Sequence, residues 1–235
     1  MSFTIHNNYK AKSISYDSQT RSLSTIKYIV IHYTGNKGDK AASNARYFAE
    51  SNTRQAGAHF FVDKTGEIYQ SIDMNKIAWS VGGDMRTGDG GGSLYKTCTN
   101  SNSVSIELCD CCSNTNYKQA LAVRKLVKHI QKKCPNATHI VRHWDVNGKY
   151  CPAPMIGKDN EKWKKLKAFL KDTAIFNAKV IEDAAICSSA KVADDNKIGS
   201  LKKGASIKII AEKGSWGKVS YQGKTGYISL NKVTW

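Results

Sequence analysis

The sequence predicts an α/β domain, a mixed central sheet flanked by helices, followed by a small all-β barrel. Two observations carry the first part: β-branched runs such as Lys27–Tyr33 alternate with amphipathic segments, and the alternation persists to about residue 171. A third carries the second part. Beyond Lys171-Asp172-Thr173 the helical period stops, and short strand-like runs are divided only by turn-prone residues.

Taken in order, Lys27-Tyr28-Ile29-Val30-Ile31-His32-Tyr33 is a buried strand. Ala41, Ala45, Phe48 and Ala49 follow at helical spacing, with Asp39 as the expected N-cap. His59–Val62 and Glu67–Gln70 flank Asp63-Lys64-Thr65-Gly66, the pattern of a hairpin. Ser103–Leu108 is a further strand. Val123, Leu126, Val127, Ile130 and Cys134 form one helical stripe. Ile140-Val141 marks another strand, and Trp163, Leu166, Phe169 and Leu170 the stripe of a last helix. Ile207–Ile210, Trp216–Tyr221 and Thr225–Ile228 are the strands of the second part, separated at Lys213-Gly214-Ser215 and Gln222-Gly223-Lys224. The domains are accordingly expected at 1–173 and 174–235.

The 235 residues are 40% hydrophobic, but no apolar run approaches the length of a membrane span, so no membrane insertion is expected. The opening residues are polar, which predicts a protein made in the cytoplasm without a secretory signal. Thirty-six Lys and Arg against 19 Asp and Glu give a formal charge of +17, which implies a polyanionic partner: nucleic acid, an anionic membrane or an anionic cell wall. The basic residues are dispersed and no nucleic-acid-binding motif is present, so no specific nucleic acid is expected. Seven irregularly spaced cysteines point to free thiols or metal ligands rather than a disulfide framework.

Alone, His32 at the end of its strand reads as a core histidine. His143 and Cys151, eight residues apart across a turn-rich stretch, are both good zinc ligands, and with His32 they make a three-ligand set with an open fourth position. His139 is set aside, because Ile140-Val141 is extended and four residues of strand span about 13 Å. His59 reads as structural, and His6 and His129 have no partner identifiable in the sequence. In Cys109-Asp110-Cys111-Cys112, adjacent extended cysteines point to opposite faces, so they read as loop thiols. Glu107 ends an otherwise uncharged strand on which it shares a face with Ser103 and Ser105. It is either a solvated edge residue or, facing an activated water, a general base. Lys149 is either one more solvated lysine or a cation beside the metal, placed to stabilise an oxyanion.

These residues give the chain a specific resemblance. Ile29–Thr34, Ala58–Gln70, Ala78-Trp79, Ser105-Ile106-Glu107, His143-Trp144-Asp145 and Lys149-Tyr150-Cys151-Pro152 occur in the order of the zinc-dependent N-acetylmuramoyl-L-alanine amidases with the peptidoglycan-recognition-protein-like fold, many of them phage endolysins. The resemblance covers about residues 20–170. It implies one Zn²⁺ held by His32, His143 and Cys151, Glu107 as the catalytic carboxylate and Lys149 as the transition-state lysine. Some members use a tyrosine before the hairpin histidine; here it is Ala58, which moves that role to Glu107. Many have histidine after the tryptophan; here it is Ser80. The Cys109–Cys112 cluster has no counterpart.

Gly199–Gly204 and Trp216–Ile228 resemble bacterial SH3-like domains, which attach wall enzymes to peptidoglycan. Together the resemblances imply a hydrolase of Gram-positive peptidoglycan that cleaves the amide between N-acetylmuramic acid and L-alanine and acts on the wall after release from the cell. The alternative they allow is a catalytically inactive peptidoglycan-binding protein of the same fold. Its usual mark, a lost zinc ligand, is absent.

Overall fold

In a computed structural model, which describes residues 4–86, 90–171, 176–191 and 193–234, the chain divides into two compact units, Phe3–Leu170 and Lys171–Trp235. The expected boundary at 173/174 lies outside the described residues.

The first unit contains strands β1 (Tyr16–Thr20) and β2 (Tyr28–Tyr33), helix α1 (Ala41–Glu50), and strands β3 (Phe60–Val62), β4 (Ile68–Gln70), β5 (Lys76–Ala78) and β6 (Ser103–Leu108). Helix α2 (Tyr117–Lys133), strand β7 (His139–Arg142) and helices α3 (His143–Asn147) and α4 (Asn160–Lys171) complete it. Five strands form a mixed sheet in the order β4-β3-β6-β2-β7. Only β3–β4 is antiparallel; β3–β6, β6–β2 and β2–β7 are parallel. The carboxyl ends of β3, β6, β2 and β7 therefore open on one edge, the edge at which open α/β sheets expose functional groups. The antiparallel pair β1–β5 forms a separate two-stranded sheet that the sequence pattern does not reveal.

The central strands β3, β6 and β2 are buried along their length except at the half-buried Tyr33 and Glu107. Ile29, Val30, Ile31, Val104, Ile106 and Leu108 have no exposed surface, and neither do Ser103 and Ser105. The α2 stripe, Val123, Leu126, Val127, Ile130 and Cys134, is buried as its spacing requires, as are Trp163, Leu166, Phe169 and Leu170 of α4. Gln119 ties α2 to the sheet: its Nε2 donates to the Val62 and Cys109 carbonyls at 2.9 and 2.8 Å.

Two local expectations are corrected. Asp39 does not cap α1, whose N-cap is Lys40 with no side-chain bond. The Asp39 carboxylate is instead held by Asn44 Nδ2 and by the backbone N–H of Asp110. The free Ala41 N–H is met from the hairpin by Asp63 Oδ2 at 3.1 Å, while Asp63 Oδ1 accepts from Thr65 and Glu67 within the turn. The stretch after His143 is not irregular from the start, since it opens with the short helix α3, whose Asp145 reaches back to the Arg142 N–H at 2.7 Å.

The second unit is all-β: β8 (Phe176–Val180), β9 (Ala184–Cys187), β10 (Lys197–Leu201), β11 (Ser206–Lys213), β12 (Trp216–Tyr221), β13 (Lys224–Ser229) and β14 (Val233–Thr234). They form one antiparallel sheet in the order β10-β9-β13-β12-β11-β8-β14. Gln222 and Gly223, both at positive φ, make the tight β12–β13 turn that the sequence predicts. Ile186, Ile209, Val219 and Ile228 are fully buried.

Candidate metal centre and its flanking clefts

His32 is the penultimate residue of β2, Glu107 the penultimate residue of β6, and His143 follows β7 directly. The parallel topology thus brings three chain-distant residues to one edge. Cys151 reaches the same point through the turn after α3, where its carbonyl accepts the Trp144 N–H at 2.9 Å.

His32, His143 and Cys151 are all buried, and their ligand atoms lie within 4.8 Å of one another. The His32 and His143 rings are 4.7 Å apart, and His32 Nδ1 is 3.9 Å from Cys151 Sγ. Both nitrogens of His143 and the Nε2 of His32 are buried without a hydrogen-bond partner. Each such group costs about 1–3 kcal/mol when left unsatisfied. Burial, then Lys149 and Arg86, pushes His143 down to about 3; burial, then the neighbouring His143 ring and Lys149, holds His32 well below its usual range, which keeps both lone pairs free. Burial pushes the Cys151 thiol up to about 12, even though the Tyr33 backbone N–H donates to its sulfur. A buried set of two neutral imidazoles and one thiol is a donor set that fits a cation and little else. Three donors also match a site that keeps one position open.

Glu107 lines the same cleft, a cavity of about 560 Å³ bounded also by Tyr33, Trp79 and Tyr150. Its Oε2 is buried and unpartnered. Burial raises the carboxyl to about 7, against the pull of Lys149 and with a smaller push from Asp39. The solvated-edge alternative fails because β6 is central, between β3 and β2. Lys149 is exposed and belongs to both this cleft and a second one of about 500 Å³ that His143 also lines. Glu107 and Lys149 therefore share one cleft with His32 and Cys151.

The histidines set aside in the sequence lie elsewhere. His139 is exposed at the far end of β7, against the Tyr28 ring. His59 is fully buried and trades hydrogen bonds with Ser105. His6 does have a partner, Glu67, at 2.8 Å. All seven cysteines are free, Cys109 and Cys111 buried and Cys112 exposed.

Sequence reasoning missed Arg142. Its guanidinium is buried between the Trp144 and Trp163 rings, 4.5 and 5.2 Å from their centroids. It donates to the Met155 carbonyl, Asn160 Oδ1 and both Asp145 oxygens. This clamp fixes the start of α3 and with it His143. The one sequence signal is the acidic residue at the third helical position, Asp145.

The sequence model of the N-acetylmuramoyl-L-alanine amidase family matches residues 22–154, more than half of the chain, and that of the bacterial SH3 domain matches residues 189–233. The N-acetylmuramoyl-L-alanine amidase CwlL of Bacillus licheniformis is 30% identical over 193 residues, 78% of this chain and 50% of that protein. The amidase BlyA of Bacillus subtilis strain 168 is 30% identical over 148 residues, 59% of this chain and 40% of that protein. The chain thus spans about half the length of the curated relatives it matches. Among solved structures, the catalytic domain of XlyA superposes with a TM-score of 0.54 at 27% identity, covering 71% of this chain and 99% of that one. An endolysin mutant from Bacillus subtilis gives 0.54 at 27%, covering 72% and 99%.

Proposed function

Because the chain belongs to the N-acetylmuramoyl-L-alanine amidase family, we propose that it is a peptidoglycan hydrolase, cutting the amide between N-acetylmuramic acid and L-alanine with one Zn²⁺ held by His32, His143 and Cys151. The observation that carries this reading is the convergence of three buried ligand atoms within 4.8 Å, two of the side chains otherwise short of partners, beside a cleft that also contains Glu107 and Lys149. A zinc ion held by these three residues would supply Lewis acidity and would bring the pKa of a bound water toward neutrality.

The chain's own residues do the rest. Glu107, poised near neutrality by burial, takes the proton of the attacking water. The Lys149 ammonium faces the cleft and stabilises the negative charge that grows on the carbonyl oxygen. Glu107 then returns its proton to the L-alanine nitrogen as the carbon–nitrogen bond breaks. Trp79 lines both clefts and offers a flat apolar wall to the substrate.

In this proposal the SH3-type unit holds the enzyme on Gram-positive wall, and the charge of +17 draws it to anionic wall polymers. Synthesis in the cytoplasm, with action on the wall after release, belongs to the same reading. The test is mass analysis of digested peptidoglycan. New amino termini on L-alanine with no new reducing sugar ends are expected. Intact wall, from protein that carries stoichiometric zinc, would leave only the binding-protein alternative.

A further inference from the structure

We propose that the second cleft binds the stem peptide and that Arg86 holds the free carboxylate of its second residue, making the enzyme selective for acidic over amidated stems. The inference rests on the amidase reading and adds to it a residue and a charge preference.

The metal centre lies where two clefts meet. His32, Glu107 and Cys151 open on the first, His143 opens on the second, and Trp79, Ser80 and Lys149 line both. An amide placed at that junction sends one substituent into each cleft. The first is walled by the rings of Tyr33, Tyr47, Phe48 and Tyr150, surfaces that suit a sugar ring. The second is bounded by Gly82, Gly83, Asn100 and Asn147 with Asp84 and Arg86, a polar wall that suits a peptide backbone.

The backbone of Arg86 is held by the helix that carries His143. Its N–H donates to the Asn147 carbonyl at 2.7 Å, and Asn147 Nδ2 donates to the Gly82 carbonyl at 3.2 Å. Gly148, at φ +77°, packs so closely on the Arg86 carbonyl that no Cβ fits there. Another part of the lining is fixed by Asn100, whose Oδ1 accepts from the Ser80 and Val81 amides. No carboxylate among the described residues forms an ion pair with Arg86, and Asp84 in the same cleft is beyond that distance. Arg86 and His143 line the same cleft. An exposed guanidinium on a held backbone, lining this cleft without a carboxylate partner among the described residues, suits a carboxylate on the leaving peptide. In a stem whose second residue is γ-linked D-glutamate, that group is the free α-carboxylate. Amidation to D-isoglutamine removes its charge and one acceptor.

The experiment compares N-acetylmuramoyl-L-alanyl-D-glutamate with its D-isoglutamine counterpart on the zinc-loaded full chain, by kcat/KM and by equilibrium binding to the Glu107→Gln variant. The acidic compound is expected to be favoured about tenfold, through KM and Kd. Arg86→Gln should bring the ratio to about one by a loss on the acidic compound, and Arg86→Lys should keep part of it. Equal handling of the two compounds by the parent, an equal loss on both in Arg86→Gln, or binding of neither would overturn the proposal. Selective binding without hydrolysis would sink the amidase reading and leave this one standing.

Discussion

His32 and Glu107 are register partners on the parallel strands β2 and β6. Paired residues of neighbouring strands send their side chains to the same face of a sheet. A metal donor and a carboxylate therefore leave the sheet side by side, one step before both strands end. The division of labour follows from chemistry: an imidazole that holds a metal has no lone pair left for a proton, whereas the carboxyl, raised to about 7, can both take and return a proton near neutrality.

Glu107→Gln separates these roles. The amide keeps the shape of the side chain and leaves His32, His143 and Cys151 untouched. Zinc content should stay at one per chain while kcat falls by roughly 10²–10⁴-fold, the range for a lost general base. Zinc measured by mass spectrometry and turnover measured on the same sample check it. Full activity in the variant ends the assignment.

Cys151→Ser tests the ligand set. The buried sulfur is one of three donors and the only one that binds as an anion. Its loss should abolish stoichiometric zinc. A ligand present at a thousand times its Kd adds about 4 kcal/mol to stability. A chelator should therefore lower the thermal midpoint of the parent by on the order of 10 °C and leave Cys151→Ser unmoved. An equal response in both proteins refutes the triad.

Much of this site was legible because parallel strands deliver their ends to one edge. Once Tyr28–Tyr33, Ser103–Leu108 and Ile140-Val141 are read as strands of one sheet, His32, Glu107 and His143 follow. Residues whose partners come from elsewhere in the chain were not legible. Asp39 stands where a cap belongs, yet Asp63, from a hairpin 22 residues away, does the capping. The role of Arg142 depends on Met155, Asn160 and Trp163, and one arginine among 36 basic residues carries no signal of burial. The two clefts are likewise made by loop closure, which periodicity does not report.

Arg142 should prove costly to replace. Its side chain is 5% exposed and its Asp145 partner 18%. Removing one member of such a pair strands the other, a loss of about 3–5 kcal/mol. Arg142→Met should lower the denaturant midpoint accordingly, with zinc affinity falling because His143 loses its anchor. Arg142→Lys should recover only part of the loss, since an ammonium cannot reach the Met155 carbonyl, Asn160 and both Asp145 oxygens at once. Stability unchanged in Arg142→Met would exclude the clamp.

His59 sets an acid limit on the fold. Its Nδ1 accepts the Ser105 N–H at 3.1 Å, and its Nε2 lies 3.1 Å from the Lys76 carbonyl and 3.0 Å from Arg21 Nη2. Burial, and then the Arg21 charge, hold the ring's pKa down to about 3 against the weaker pull of the Lys76 carbonyl. The folded ring stays neutral while the unfolded one takes a proton near pH 6.5. Between pH 6.5 and 3 the unfolded state thus binds one more proton. Stability from this residue is complete above 6.5 and is lost as pH falls, at about 1.4 kcal/mol per pH unit and about 2 kcal/mol by pH 5. His59→Gln removes the titration. In urea unfolding with chelator present, its stability should fall between pH 6 and 4 less steeply than the parent's, by that slope. Both proteins carry His32 and His143, so their contributions cancel in the difference. Identical slopes would mean that His59 already carries a proton in the fold.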